Sequence, residues 1–123
     1  MTLEEFVNFV VNSPYETVAN ELERNYRTPM VSDIRTIEQK QDATQKMAYA
    51  VSVYAFLSPV RARVNYKKSV CDKKSAEYAV LIRKVELLDA YIEIAKVVRD
   101  SISRMFSCSA QVLEQIRVEG SIV

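Results

Sequence analysis

The chain has 123 residues, 49% of them apolar and 27% charged, with 17 Lys and Arg against 16 Asp and Glu for a net charge of +1. That is material for one domain, or one small core with an appendage. With no histidine and two cysteines, Cys71 and Cys108, it is short of the roughly four ligands a structural zinc site needs, and no apolar run reaches membrane-span length.

A single glycine, Gly120, and three prolines, Pro14, Pro29 and Pro59, leave few residues for the tight turns of a sheet protein. The expectation is an all-α fold: a small bundle or long helical hairpin with a heptad-patterned C-terminal helix that oligomerises. The N-terminus, Met1-Thr2-Leu3-Glu4-Glu5, lacks the basic region of a signal peptide. The protein therefore reads as intracellular, with reduced thiols, in the cytoplasm of the host cell if it is viral.

Thr2-Leu3-Glu4-Glu5 has capping-box form and predicts a short helix to about Asn12, with Leu3, Phe6, Val7 and Val10 on its apolar side. Ser13-Pro14-Tyr15-Glu16 repeats the device, with proline at the first helical position, and predicts a second helix to about Tyr26. Together these make an N-terminal unit over residues 1–28.

A third helix is predicted from Ser32-Asp33 to about Leu57, its apolar positions being Ile34, Ile37, Thr44, Met47, Ala48, Val51, Tyr54 and Ala55. Pro59 either kinks it or starts another, and the basic segment continues helically through Val64 and Lys67, so the unit spans 30–74. A loop falls within residues 68–75.

Residues 75–118 contain neither glycine nor proline. Leu81, Val85, Leu88, Ile92, Ala95, Arg99, Ile102, Phe106, Ser109, Leu113 and Ile116 step by four and three, a heptad pattern interrupted at Arg99 and Ser109. Leu87, Tyr91, Ile94, Val98, Ser101, Met105, Cys108 and Val112 form a second stripe. Two stripes ask for neighbours on two sides. Either the helix is central to its own bundle, between the third helix and the N-terminal pair, or one stripe faces another subunit. The second reading makes Leu88, Ile92, Ile102, Phe106, Leu113 and Ile116 an oligomerisation seam.

The charge is unevenly spread. Residues 1–42 carry net −4, residues 43–84 net +7 and residues 85–123 net −2. Its centre is Val60–Lys74, where Arg61, Arg63, Lys67, Lys68, Lys73 and Lys74 stand against Asp72 alone. In a helix, Arg61 with Lys68 and Arg63 with Lys67 would form one broad stripe. Tyr66, three residues from Arg63, would offer a ring to an unstacked base. Cations with an aromatic platform suit sequence-tolerant single-strand binding. A solvated charged face, or an acidic protein partner, accounts for the same pattern.

No enzyme motif is present: there is no phosphate-binding glycine loop, no histidine base and no nucleophile elbow. No cofactor is implied.

Arg61-Ala62-Arg63-Val64-Asn65-Tyr66 is similar to the basic-Ala-Arg-apolar-Asp-Tyr stretch of the T-even phage recombination mediator family (UvsY-type). Asp100-Ser101-Ile102-Ser103-Arg104, with Ile116-Arg117-Val118-Glu119-Gly120, resembles that family's C-terminal helix and its end. The first base is Arg61 where the family pattern carries lysine, which keeps the charge. The resemblance implies a homo-oligomer that binds single-stranded DNA, with Arg61 and Arg63 on the strand. It would load a RecA-like recombinase onto strands coated by a single-strand-binding protein. The alternative is a non-catalytic helical adaptor or inhibitor, a small phage protein that docks on a protein partner through its acidic N-terminal helices or its apolar stripe.

Overall fold

The structure is a computed structural model that describes the backbone of residues 1–122 and the side chains of residues 1–108. Four helices follow one another: α1 (Leu3–Asn12), α2 (Tyr15–Asn25), α3 (Ile37–Ser69) and α4 (Ala76–Ile122), with no strand among the described residues. The fold is all-α. Helices α3 and α4 form a long hairpin, and α1 and α2 pack across the end of it that carries the connecting turn.

Local chemistry explains each boundary. Thr2 caps α1, its hydroxyl accepting from the Glu5 N–H at 3.2 Å. The second cap differs from expectation. Helix α2 starts from Pro14, without a side-chain cap, and Ser13 closes α1 instead. The Ser13 N–H donates to the Phe9 carbonyl at 3.0 Å, which closes α1, and its own carbonyl accepts from Lys84 at 2.6 Å.

Helix α3 begins later than expected, at Ile37. Thr36 and Gln39 form a capping box there, with both reciprocal bonds at 3.0 Å. The preceding segment is not helical, and its Val31 and Ile34 bury against Ala43, Ala50, Val98 and Ile102. The helix also ends later than Leu57. Pro59 lies inside it and cannot donate to the Ala55 carbonyl, which costs on the order of 3 kcal/mol. Burial of Leu57, Val60 and Val64 on both sides of the proline, in one core with Leu81, Val85 and Leu88, carries the helix through.

The buried face of α3 is Ala43, Ala50, Val53, Leu57, Val60 and Val64, a seven-residue repeat that matches the heptads of α4. The series predicted for this helix is rotated from it. Ile37 is 76% exposed and Val51 43% exposed. The small Ala43 and Ala50 let the helices approach where Val98 and Ile102 face them. Arg99 interrupts the α4 heptads without breaking the packing, since its guanidinium lies 5.1 Å from the Tyr54 ring centre.

Over its described length, α4 packs one stripe on α3 and meets the N-terminal pair with part of the other. Its first stripe enters the core with α3, and Tyr91 of the second stripe reaches α2, donating to the Glu23 carboxylate at 2.6 Å. Leu88 and Ile102, expected at a subunit seam, are fully buried within the chain. Ile92 and Phe106 are half-buried against the same cores. The side chains of Leu113 and Ile116 lie outside the described residues.

Lys84 is the one charged side chain among the described residues that is buried, at 2% exposure. Its ammonium donates to the carbonyls of Val11 (3.2 Å) and Ser13 (2.6 Å) at the C-terminal end of α1. Those carbonyls have no helical partner, and a cation there also meets the negative end of the helix dipole. Burial pulls the Lys84 pKa below its ordinary value.

Burial, reinforced by the bond to Glu23, pushes the Tyr91 phenol up to about 12. Tyr26 and Tyr49 shift upward for the same first reason. A raised tyrosine pKa stabilises the fold fully below the unfolded value of 10, and the contribution disappears as pH rises through the folded value. Lys84 acts in the opposite sense below 10.5, as one group against three. Stability should therefore rise toward pH 10, where Lys84 acts alone, and fall between pH 10 and 12 as the tyrosines ionise. Urea melts across that range should show a shallower fall for Tyr91→Phe, and an identical fall would remove Tyr91 as the cause.

Candidate nucleic-acid interface

The basic segment forms the last turns of α3 and the turn that follows. Val60 and Val64 point into the core and fix the rotation of the helix, so the polar residues between them must divide around it. Arg61 and Arg63 are two positions apart, about 200° around a helix. They accordingly lie on opposite flanks of α3, which corrects the single stripe expected from spacing.

On the α4 flank, the Arg61 guanidinium engages the Asp89 carboxylate through two donors, Nε to Oδ1 at 2.8 Å and Nη2 to Oδ2 at 3.5 Å. A half-exposed pair of this kind contributes roughly 0–1 kcal/mol to stability. Its larger effect is on availability, because Asp89 occupies one edge of the guanidinium fork. Lys68 lies on the same flank, half-buried.

On the other flank, Arg63, Tyr66 and Lys67 meet the N-terminal half of α1 across an open groove of about 530 Å³. Val7 and Ala62 supply its apolar lining, and Glu4 and Asn8 its α1 rim. Arg63 and Lys67 are exposed. Tyr66 is 68% exposed, an uncovered aromatic ring among cations. Lys73 and Lys74 are exposed in the connecting turn, which Asp72 shapes by accepting from the Lys74 N–H at 3.1 Å.

Part of this clustering serves the fold. Lys67 and Lys68 occupy the last turn of α3, where cations offset the helix dipole. That accounts for neither Arg63 nor the exposed ring of Tyr66.

The sequence did not single out Glu4 and Asn8 for this groove, or Asp89 as the partner of Arg61. These are tertiary contacts between residues far apart in the chain, and no spacing rule reports them. The ion pair makes a specific prediction. Asp89→Asn should free Arg61 and raise affinity for a single strand about two- to fivefold, by the sub-kilocalorie scale of exposed pairs. An unchanged or lower affinity in a strand titration would show that Arg61 does not meet the strand.

Among the described residues no group of acids and cysteines could hold a metal ion, and no helix is long and apolar enough to cross a membrane. A second exposed feature lies where α4 meets the segment before α3. Met30 (60% exposed), Ile94 (42%) and Val97 (46%) form an apolar strip beside a groove lined by Met30, Val97, Ser101, Arg104, Met105 and Cys108. Among the described residues of α4, Ile94 and Val97 are uncovered, whereas Leu88 and Ile102 are buried.

Comparisons of the chain with protein-family models, with curated proteins and with solved structures find no match.

Proposed function

We propose that this protein is a non-enzymatic, single-stranded DNA-binding recombination mediator that acts as a homo-oligomer and uses no cofactor. The observation that carries the strand-binding part is the exposed Tyr66 ring, flanked by Arg63 and Lys67 at the rim of the α1–α3 groove. An aromatic side chain that the core does not need, set among cations, offers stacking to a base and counter-charge to its phosphates. Arg61, Lys68, Lys73 and Lys74 extend the positive surface for a strand to follow.

Loading of a RecA-like recombinase onto strands held by a single-strand-binding protein rests on the resemblance of residues 61–66 and of the C-terminal helix to the T-even phage mediator family. On this reading the protein works in the cytoplasm of the host cell. A ring or cluster of subunits would raise the effective concentration of a small site, which suits a motif of only a few cations.

The test is a titration of fluorescent oligo-deoxythymidine at low and moderately high salt, beside a duplex of equal length. Strand binding should exceed duplex binding, and the slope of log K against log salt should approach about −4 if all six bases engage. No binding at low salt would end the proposal. The exposed strip at Met30, Ile94 and Val97 favours a second reading, a helical adaptor for a protein partner. That reading expects a salt-insensitive protein complex and no nucleic-acid affinity.

A further inference from the structure

Two groups in the α1–α3 groove have no use in binding a strand by charge. Glu4 and Asn8 stand one helical turn apart on α1 and line the same groove as Arg63, Tyr66 and Lys67. A carboxylate there opposes a phosphate. The position of Glu4 in the first turn of α1 explains why an acid is tolerated. It does not explain why that acid shares a groove with the most exposed aromatic ring of the basic segment. Glu4 also forms no ion pair with Arg63 or Lys67 among the described residues, so the groove stays open between acid and cations.

The groove thus has three kinds of wall: an apolar lining of Val7 and Ala62, an aromatic ring with two cations, and a rim of hydrogen-bonding groups. A nucleotide has matching parts. Its phosphates suit Arg63 and Lys67, its ring face suits Tyr66, and its edge is left to meet Glu4 and Asn8.

We propose that this groove is a base-selective subsite that takes an unstacked, amino-bearing nucleobase with its hydrogen-bonding edge toward the Glu4 carboxylate. The inference rests on the strand-binding reading and adds a preference to it. A carboxylate only accepts hydrogen bonds. Cytosine offers it the N4 amino group, adenine the N6 amino group, and guanine the N1–H together with the N2 amino group. Thymine and uracil present the O4 carbonyl where cytosine has its amino group, and their one edge donor, N3–H, is flanked by O4 and O2, so a carboxylate that accepts from it meets two repelling acceptors. The Asn8 amide, which both donates and accepts, can serve the remaining atoms of any of these edges. Selection is therefore against thymine and uracil.

The experiment compares oligo-deoxycytidine with oligo-deoxythymidine of one length, by fluorescence anisotropy at pH 8 and one fixed salt. The two bases differ chiefly in the groups that Glu4 would read. Oligo-deoxycytidine should bind about five- to tenfold more tightly, the lower range of a single base-edge contact. Glu4→Gln should bring the ratio close to one, mainly by strengthening oligo-deoxythymidine, because an amide can donate to O4 and carries no charge. Its circular dichroism should match that of the unaltered protein. Equal affinities in the unaltered protein, or a ratio that Glu4→Gln leaves in place, would overturn the subsite while strand binding stands. Failure to bind either oligonucleotide would overturn the strand-binding reading as well.

Discussion

Replacing Arg63 and Tyr66 together by alanine is expected to weaken single-strand binding about a hundredfold. Base–aromatic stacking contributes on the order of 1–3 kcal/mol, and a lost phosphate contact adds to it, while each 1.4 kcal/mol is a factor of ten. The salt slope should fall by about 0.7, the share of one phosphate on a single strand. Helicity should not change, because both side chains are exposed and the neighbouring Val64 carries the local core contact. Arg61→Ala should cost much less, since part of the Arg61 guanidinium already meets Asp89. Anisotropy titrations of the double and single variants at three salt concentrations separate these effects. Equal losses for Arg61→Ala and Arg63→Ala would show that the groove flank of α3 has no special part in binding.

Leu88→Ala is the substitution expected to cost most in stability. Leu88 is fully buried in the core shared by α1, α2, α3 and α4. Truncating a buried leucine costs about 2–5 kcal/mol, and at this chain length about 3 kcal/mol corresponds to a Tm lower by roughly 10–15 °C. The oligomeric mass of the folded protein should stay as it was. Val97→Glu, on the exposed strip of α4, should do the opposite, changing assembly while moving Tm little. Calorimetry and light scattering on the two variants give four readouts. A Leu88→Ala protein that kept its Tm and lost assembly would restore the seam that heptad spacing suggests.

The contrast between those two positions shows what was legible in the sequence. Heptad spacing correctly identifies the face of α4 that seeks a partner helix. It cannot say whether that partner belongs to the same chain. Between Leu81 and Ile102 the face is covered by α3, which runs through Pro59 to Ser69 without a break. The burial that carries the helix through the proline, Leu57, Val60 and Val64 of α3 against α4, is a tertiary property.

Alanine had a similar effect. Ala43 and Ala50 are central to the α3–α4 contact, yet Ile37 and Val51 outrank them on any hydropathy reading and lie exposed. The start of α3 was legible in principle, because Thr36-x-x-Gln39 is a capping box by composition.

For the site, the concentration of positive charge and the aromatic among it were visible in the residue order, and all seven named residues do cluster at one end of the hairpin. Their division between two flanks follows from the inward rotation of Val60 and Val64. The facing wall on α1 comes from residues nearly sixty positions earlier, and no local pattern connects them.

The attachment of α1 through Lys84 has a consequence for how the site can be isolated. A synthetic peptide of residues 60–74 would keep every cation and the tyrosine. It would lack Glu4, Val7 and Asn8, which reach the groove because α1 is packed on α3 through Phe6, Val7 and Val10 and tied at its end to α4 by the Lys84 ammonium on Val11 and Ser13. Such a fragment would adhere to any polyanion and discriminate among none. On the proposed reading, selectivity would belong to the folded chain, through packing and one lysine that would not touch the ligand.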